Sequence, residues 1–546
     1  METFNKPVQS LKTTIKPLLK KQSQVFTWAI AILAFITPLF FLPLNVEFYV
    51  FNKVSLLHCF IALLSIIWAI RIFFEQRVKL LKTPLNWPVL SLMTIYLAST
   101  FIQAPNKIAS LSGEAGLIIC LGLLYFIIVN HFRGRKPVVI TMTALIVSSV
   151  VLAWLTVFSY LEVFSAGPIW LQNKAWTPTG SVLTTLSFVF ILLPGTLYWA
   201  FKSKETVEKM LLFLAGSLQI LCLILIISLF ADKTITLNYL MPQFGWQIAV
   251  EGLKTLRTAL LGVGPGNFLS AFNRFRPIGL NDTSIWTLKF TANSNQYFNL
   301  LSTVGVLGLI SYVWLIWKSL KRDNFKGSLV TKVLYICLTT SFIVQLVFNA
   351  NLLVLLITFI MIGLLQANKI PAETDMGYDH AERGSNHAER DKHKVNSQGV
   401  VWGLTGLIIV LALLIFYWQG RVWMADYYFR QSLLAAQKNQ GAETYNLQIK
   451  AIKLNPYNEN YRISYANTNL VLANSLSGQS DLTDQEKASI SQLISQAIRE
   501  AKAATALNPQ ISGYWVNLAN IYRNNAKTYT IPANRAASAY LQAVRT

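Results

Sequence analysis

Apolar and polar positions along this chain alternate in long blocks. A run of about 17 to 25 apolar residues is long enough to cross the hydrocarbon core of a bilayer as a helix. The pattern therefore predicts an all-α fold, a polytopic membrane helix bundle of about 11 spans. The predicted spans are residues 25–43, 48–70, 85–102, 114–131, 138–161, 181–201, 209–230, 297–317, 331–347, 351–367 and 399–419.

Basic residues between these blocks predict the orientation of the bundle, because Lys and Arg accumulate in short loops on the cytoplasmic side. Alternate connections hold Arg71, Arg77, Lys79, Lys82, Arg133, Arg135, Lys136, Lys202, Lys204, Lys209, Lys318, Lys321, Arg322 and Lys326. The intervening short connections hold little beyond Lys107 and Lys174. We therefore predict a multi-pass membrane protein. Its basic residues 1–24 are cytoplasmic and a large loop, 231–296, is outside.

The connection at residues 368–398 differs from the other predicted inner loops. It contains the duplication HAERGSNHAER and few apolar residues. Such a composition cannot bury enough apolar surface to fold, so we expect a disordered cytoplasmic loop. His380, His387 and His393 follow no metal-ligand spacing, and no metal site is predicted.

Residues 421–546 change to amphipathic helical stretches and predict a second, extracytoplasmic domain. The segment AIKLNP at 451–456 is echoed by ATALNP at 504–509. The spacing W-x2-L-[GA]-x2-Y of tetratricopeptide helices follows, at Trp515, Leu518, Ala519 and Tyr522.

These marks predict a tetratricopeptide-repeat helical solenoid of three helix pairs, at about 422–454, 457–507 and 510–546. The excess over the usual repeat length falls at Ser475 to Asp484. Such arrays present a concave surface for peptides and helices, so a protein partner is expected.

Composition agrees with a membrane protein. With 53% hydrophobic and 13% charged residues, the chain is too apolar for an ordinary soluble enzyme. The net charge of +23 lies in clusters between apolar blocks, which indicates topology and contact with membrane lipids, and predicts no nucleic-acid partner.

The stretch Leu261 to Gly308 contains the most polar part of the apolar region. Its LGVGPGNF segment places glycines at 262, 264 and 266, which permit tight turns, and Pro265 fixes one of them. A nucleotide-binding loop is disfavoured, because no strand of a βαβ unit precedes the glycines and the Walker lysine is missing. The preceding residues, 245–260, predict an amphipathic helix that lies on the membrane face or on other spans.

Cations follow the glycines. Arg274 and Arg276 precede a polar loop with Lys289, and Ser294 and Asn295 open the eighth predicted span. A guanidinium offers a planar fork of donors that matches phosphate oxygens, so an outward diphosphate site is one interpretation. The other is that these arginines anchor the loop to lipid headgroups.

Residues 246–268 (WQIAVEGLKTLRTALLGVGPGNF), followed by Ser294-Asn295, nine residues and Gly-Val-Leu-Gly, resemble the O-antigen ligase and polymerase superfamily of bacterial membrane glycosyltransferases. The family pattern is His-[Asn/Ser/Gln], nine residues, then Gly-x-x-Gly. Asn295, Gly305 and Gly308 match it in register.

The resemblance implies transfer of a glycan from an undecaprenyl-diphosphate carrier to an acceptor glycan or protein on the outer face, without metal, cofactor or nucleotide sugar. It places the catalytic motif at Ser294 and Asn295. Diphosphate binding is expected from Arg274 and Arg276, with Arg257 and Lys289 behind them. The structural turn of the site is expected at Gly264, Gly266 and Asn267.

One departure from the family pattern leaves three accounts open. Ser294 replaces the family histidine, and a serine hydroxyl cannot act as a general base near neutral pH. In the first account, the enzyme is active, and water or a carboxylate such as Glu251 or Asp282 deprotonates the acceptor. In the second, it polymerises repeat units. In the third, the protein is a non-catalytic membrane-anchored tetratricopeptide scaffold. His58 in the second span is expected to have a packing role or to make a helix hydrogen bond.

Overall fold

The computed structural model describes residues 23–76, 80–235, 239–321, 325, 327–369, 398–478, 482–525 and 533–545. Across these residues the regular structure is helical, and no strand occurs. The predictions for residues 1–22 and for most of the 368–398 connection, with its three histidines, lie outside the described residues.

All eleven predicted blocks contain an apolar helix. The helices as far as the last block are α1 Ser23–Leu39, α2 Val50–Glu75, α3 Asn86–Ile102, α4 Lys107–Ser112, α5 Glu114–His131, α6 Arg135–Tyr160, α7 Val182–Lys202, α8 Thr206–Ala231, α9 Pro242–Glu251, α10 Leu256–Leu261, α11 Phe268–Arg274, α12 Gln296–Thr303, α13 Gly305–Ser319, α14 Leu329–Val347, α15 Leu352–Ala367 and α16 Gln398–Gln437.

Among the described residues, seven apolar segments are long enough to cross a membrane: α2, α4 with α5, α6, α7, α8, α14 and α16. Four shorter apolar helices, α1, α3, α13 and α15, occupy the remaining predicted blocks. The chain thus has the helices of a membrane protein.

Helix α15 lies at the centre of the bundle. All of its residues are buried, and it packs against α5, α7 and α14. A helix that is apolar around its whole circumference is stable only when surrounded. In contrast, α16 exposes Leu407, Leu411 and Leu414, as expected for a surface in contact with lipid.

The connections between helices fall into two sets at opposite ends of the bundle. At one end, the Leu81 N–H donates to Asn130 Oδ1 at 2.9 Å. At the other, Asn45 donates to the Trp423 carbonyl at 3.3 Å, and Asn106 to the Tyr457 carbonyl at 2.7 Å. The second set contains the connections that the charge pattern assigns to the outside, and we call this the outer end.

Two predicted helices are interrupted. The stretch 245–260 divides into α9 and α10, because Thr255 caps a new helix by accepting the Thr258 N–H. The block 297–317 divides into α12 and α13 at Val304, next to Gly305 with φ +78°. Both interruptions lie at the outer end.

Residues 240–290 form a small hydrophobic core of their own. Phe268 and Phe272 of α11 are buried against Phe244 and Ile248 of α9, and Leu280 closes the cluster. This core gives the large outer loop a defined shape between the bundle and the C-terminal helices.

Helix α16 has 40 residues, about 60 Å at 1.5 Å per residue, and continues from the last apolar block into the C-terminal domain. The predicted boundary at Arg421 therefore lies inside a helix. The later helices are α17 Gly441–Leu454, α18 Glu459–Ser477, α19 Asp484–Leu507, α20 Ser512–Asn525 and α21 Ala533–Arg545.

The C-terminal helices pack as neighbours in sequence: the end of α16 with α17, α18 with α19, and α20 with α21. These pairs coincide with the three that the sequence predicts. Leu518, Ala519 and Tyr522 are buried against Ala497 and Ala501. The tetratricopeptide assignment of these pairs stays a prediction.

Candidate functional site

The two glycine-marked segments lie in backbone contact at the outer end. The Val263 N–H donates to the Ser302 carbonyl at 3.0 Å, and the Gly264 N–H donates to the Thr303 carbonyl at 2.9 Å. Residues separated by about forty positions in the sequence therefore form one short paired unit. We call residues 262–267 the glycine segment.

Glycine is required on both sides of this pairing. Gly262 has φ +68°, and a Cβ on it would lie 2.2 Å from the carbonyl carbon of Thr303. Gly305 has φ +78°, and its Cβ would lie 2.4 Å from the carbonyl carbon of Leu260. Any side chain at either position would separate the two backbones. Gly262 and Gly305 thus each have a direct structural reason.

Two polar side chains of the bundle hold the glycine segment. The Gly266 N–H donates to Glu114 Oε2 at 2.7 Å, and the Ser99 hydroxyl donates to the Leu261 carbonyl at 2.6 Å. Tyr96 donates more weakly to Glu114 Oε1, at 3.4 Å. Glu114 was not predicted as a site residue. An acidic residue at the edge of an apolar block is costly and often functional, and this was the signal available in the sequence.

The C-terminal domain contacts the same place. Gln510 Oε1 accepts from Asn267 Nδ2 at 2.8 Å and from the Ser270 hydroxyl at 2.6 Å. Gln510 immediately follows the second Leu-Asn-Pro mark. The glycine segment is therefore held between a span and the C-terminal domain, a relationship that sequence reasoning missed.

Ser294 is buried, with 1% of its surface exposed. Its hydroxyl donates to Asn293 Oδ1 at 3.3 Å and its backbone N–H to the same oxygen at 2.7 Å. A Cβ on Gly245 would lie 2.3 Å from Ser294 Oγ, so the hydroxyl fills the space beside that glycine. Ser294 belongs to a packed polar network.

Asn295 begins α12. Its side chain accepts the Phe298 N–H at 2.9 Å, which satisfies an N-terminal donor of the helix. Asn295 is 7% exposed. Asn295 therefore caps α12, the helix whose Ser302 and Thr303 pair with the glycine segment.

The two predicted arginines differ in their surroundings. Arg276 donates to Asn281 Oδ1 at 3.2 Å and to the Trp286 carbonyl, and its guanidinium lies 5.6 Å from the Phe272 ring centroid. It holds the loop together. Arg274 is exposed, and its guanidinium lies 5.1 Å from the neighbouring Phe275 ring. Within the described ranges, the Arg274 guanidinium makes no hydrogen bond.

The two secondary cations also differ. Arg257 donates to the Ile102 carbonyl at 2.6 Å and so ties α10 to the end of α3. Lys289 is exposed, and its ammonium donates to no acceptor among the described residues. In the part of the chain that the structure describes, no hydrogen bond joins any of the four cations to Ser294 or to the glycine segment.

The other residues weighed as bases are placed as follows. Glu251 pairs with Lys254 at 2.6 Å, and Asp282 is exposed. His58 is buried within α2 and contacts Gln419 of α16, which gives it a packing partner. Among the described carboxylates, Glu114 is the one that hydrogen-bonds directly to the glycine segment.

Comparison with known proteins adds no relative, since no protein-family model and no curated protein matches this chain.

Proposed function

We propose that the chain is an O-antigen ligase-like membrane glycosyltransferase. It moves a glycan from an undecaprenyl-diphosphate carrier to an acceptor on the outer face of the bacterial cytoplasmic membrane. The observation that carries the proposal is the pairing of the glycine segment with Ser302 and Thr303. The two halves of the family-like pattern, far apart in sequence, form one unit at the outer end.

Binding of the donor is assigned to the free cations of the outer loop. In the transfer, the bond between the sugar C1 and a diphosphate oxygen breaks, and negative charge develops on the leaving diphosphate. Arg274 and Lys289 are exposed and available for that charge. Arg276 and Arg257 bind backbone carbonyls, so we assign them to the shape of the loop.

Acceptor activation is assigned without a histidine. The acceptor oxygen forms the new bond to C1 and loses its proton to water or to a carboxylate. Asn295 acts as a positioning residue, because its side chain caps α12, and Ser294 packs beside Gly245. Glu114 positions the glycine segment through the Gly266 N–H.

The C-terminal domain is assigned to the acceptor. Its tetratricopeptide-like pairs follow the continuous α16, and Gln510 contacts Asn267 beside the glycine segment. A protein or glycan held on this domain would be delivered next to the proposed transfer site, on the predicted outer side.

A second candidate function is a membrane-anchored scaffold without catalysis. The observation that favours it is the burial of Ser294 in place of the family histidine, which leaves the motif position without a titratable group. A repeat-unit polymerase is the third account.

One experiment separates the three. The full-length protein is reconstituted in vesicles with an undecaprenyl-diphosphate-linked glycan and an envelope extract as the source of acceptors. Ligation releases undecaprenyl diphosphate and places the glycan on a component of the extract. Polymerisation lengthens the lipid-linked glycan. A scaffold leaves the donor unchanged, and that result would overturn the proposal.

A further inference from the structure

A cavity of about 420 Å³ lies at the outer end, and its lining residues are remote in sequence from the glycine segment. The start of α2, the connection between α6 and α7, and the chain just after α8 enclose it. None of its lining residues belongs to the glycine segment or to α12. Its volume lies within the range of about 300 to 1,000 Å³ that small-molecule sites occupy.

The lining combines aromatic rings with neutral polar groups. Tyr49, Trp170 and Trp176 supply the rings, and Asn173, Ser181 and Thr234 supply amide and hydroxyl groups. The described lining contains no Asp, Glu, Lys, Arg or His. An uncharged wall does not compensate a phosphate or a metal ion.

The aromatic side of the cavity is rigid. Trp176 Nε1 donates to the Tyr49 hydroxyl at 3.0 Å, and Phe41 meets the Trp176 ring edge to face at a centroid distance of 5.5 Å. The Trp170 ring lies 6.2 Å from that of Trp176. Preformed rings of this kind bind a ligand at low entropic cost.

A buried lysine holds the turn at residues 177–181, which forms another part of the lining. The Lys53 ammonium, one turn into α2, donates to the Pro178 carbonyl at 2.7 Å, and 1% of the residue is exposed. It fixes the turn that carries Thr177 and Ser181 into the lining. Lys53 is thus a positioning residue, and sequence reasoning did not single it out.

The cavity also offers hydrogen-bond donors to a ligand. The Tyr49 oxygen accepts the Trp176 N–H, and no described residue accepts the Tyr49 proton. Asn173 uses its Oδ1 for the Ala175 N–H at 2.8 Å, while its Nδ2 donates to no described acceptor. Two donors are therefore available at the edge of the rings.

We propose that this cavity is a binding site for a neutral sugar unit of a glycan. The C–H face of a pyranose carries slight positive charge and packs on the negative face of an aromatic ring, here Trp170. Its hydroxyls bond to Tyr49, Asn173 and the neighbouring hydroxyl side chains. The inference rests on the cavity itself and holds whether or not the chain catalyses transfer.

The test measures binding without any donor lipid or transfer. Full-length protein in nanodiscs, free of glycoside detergents, is applied to an array of neutral and anionic oligosaccharides. The strongest neutral binder is then titrated against wild type, Trp170→Ala, Asn173→Ala and the control Trp87→Ala. Trp87 is an exposed tryptophan, 72% accessible, at the opposite end of the bundle.

We expect neutral oligosaccharides to bind, with affinity reduced at least about fivefold by Trp170→Ala and by Asn173→Ala. The control Trp87→Ala should bind as wild type does. The inference is overturned if no neutral oligosaccharide binds, or if both cavity variants bind as well as wild type. Native mass spectrometry gives a further contradicting result. The inference is overturned if the cavity variants differ from wild type only in the loss of a bound phospholipid, because the cavity would then be a lipid site.

Discussion

The Glu114 carboxylate accepts the backbone N–H of Gly266 at 2.7 Å, and so joins the first residue of α5 to the glycine segment. This hydrogen bond fixes the turn at residues 262–267, which contains three glycines and so has few side chains of its own. The orientation of the glycine segment therefore depends on an acidic residue from a different part of the chain.

Replacing Glu114 tests this dependence. Glu114→Gln keeps an oxygen that can accept the Gly266 N–H, whereas Glu114→Ala leaves that N–H without its acceptor, at a cost of about 1 to 3 kcal/mol. Amide hydrogen exchange at residues 262–267 should rise strongly in Glu114→Ala and little in Glu114→Gln. Equal exchange in the two variants would contradict a positioning role for the carboxylate.

The close approach of Gly262 to Thr303 makes a second prediction. Gly262→Ala combines a strained positive φ with overlap against the Thr303 carbonyl carbon, and should destabilise the protein by about 2 to 6 kcal/mol. Thermal unfolding in detergent measures the loss.

The matched control is Gly252→Ala. Gly252 has helical φ and ψ, and no atom lies within 4 Å of its Cβ position. This variant should melt within a degree or two of wild type. A melting temperature for Gly262→Ala as high as the control would mean that the two backbones are not in contact.

Ser294→His restores the residue of the family pattern, yet the structure leaves no room for it. Ser294 Oγ already fills the space next to Gly245. We expect Ser294→His to lower the melting temperature and to give no gain in transfer. Ser294→Ala, which loses one hydrogen bond of 3.3 Å, should stay close to wild type in both measurements. Higher transfer by the histidine variant would show that position 294 faces the substrate.

Gln510 tests the contact between the C-terminal domain and the glycine segment. Gln510→Ala removes the acceptor of Asn267 and Ser270, a loss of about 1 to 3 kcal/mol for two bonds. Hydrogen exchange at residues 267–274 should rise. In the control, Gln485→Ala, an exposed side chain of α19 is removed and exchange there should not change. Unchanged exchange in Gln510→Ala would mean that the domain does not dock on this segment.

The helices were predictable because their cause is local. A long apolar block in lipid must satisfy its own backbone hydrogen bonds, so helix formation follows from composition alone. The pairs α18–α19 and α20–α21 were predictable from a different local signal, the Leu-Asn-Pro marks that precede each pair. The turn at Gly262 to Gly266 was also expected, since glycine spacing is a local property.

The contacts that arrange the outer end were not predictable in this way. Glu114, Lys53 and Gln510 act across more than a hundred residues of sequence, and a single sequence carries no record of such pairings. The continuation of α16 past Arg421 was missed for a different reason. The change from apolar to amphipathic composition marks the end of a block, but it does not end a helix.

From the sequence, the four cations of the outer loop could only be considered as one group. In the structure, they differ in their hydrogen-bond partners. Arg276 and Arg257 lie at similar distances along the chain from the glycines as Arg274, yet both bind carbonyls. Which guanidinium is free depends on the fold of residues 240–290, and this fold depends on contacts among buried phenylalanines such as Phe244 and Phe272.

The most direct measurement of the proposed activity compares transfer by Arg274→Ala with transfer by wild type, in vesicles that contain an undecaprenyl-diphosphate-linked glycan. The control is Arg523→Ala, which removes an exposed arginine from the C-terminal domain. We predict that wild type and the control transfer the glycan, and that Arg274→Ala is slower by about 10 to 100-fold, the loss of one charge-assisted contact to the leaving diphosphate. No transfer by wild type, or equal rates in all three proteins, would contradict the account.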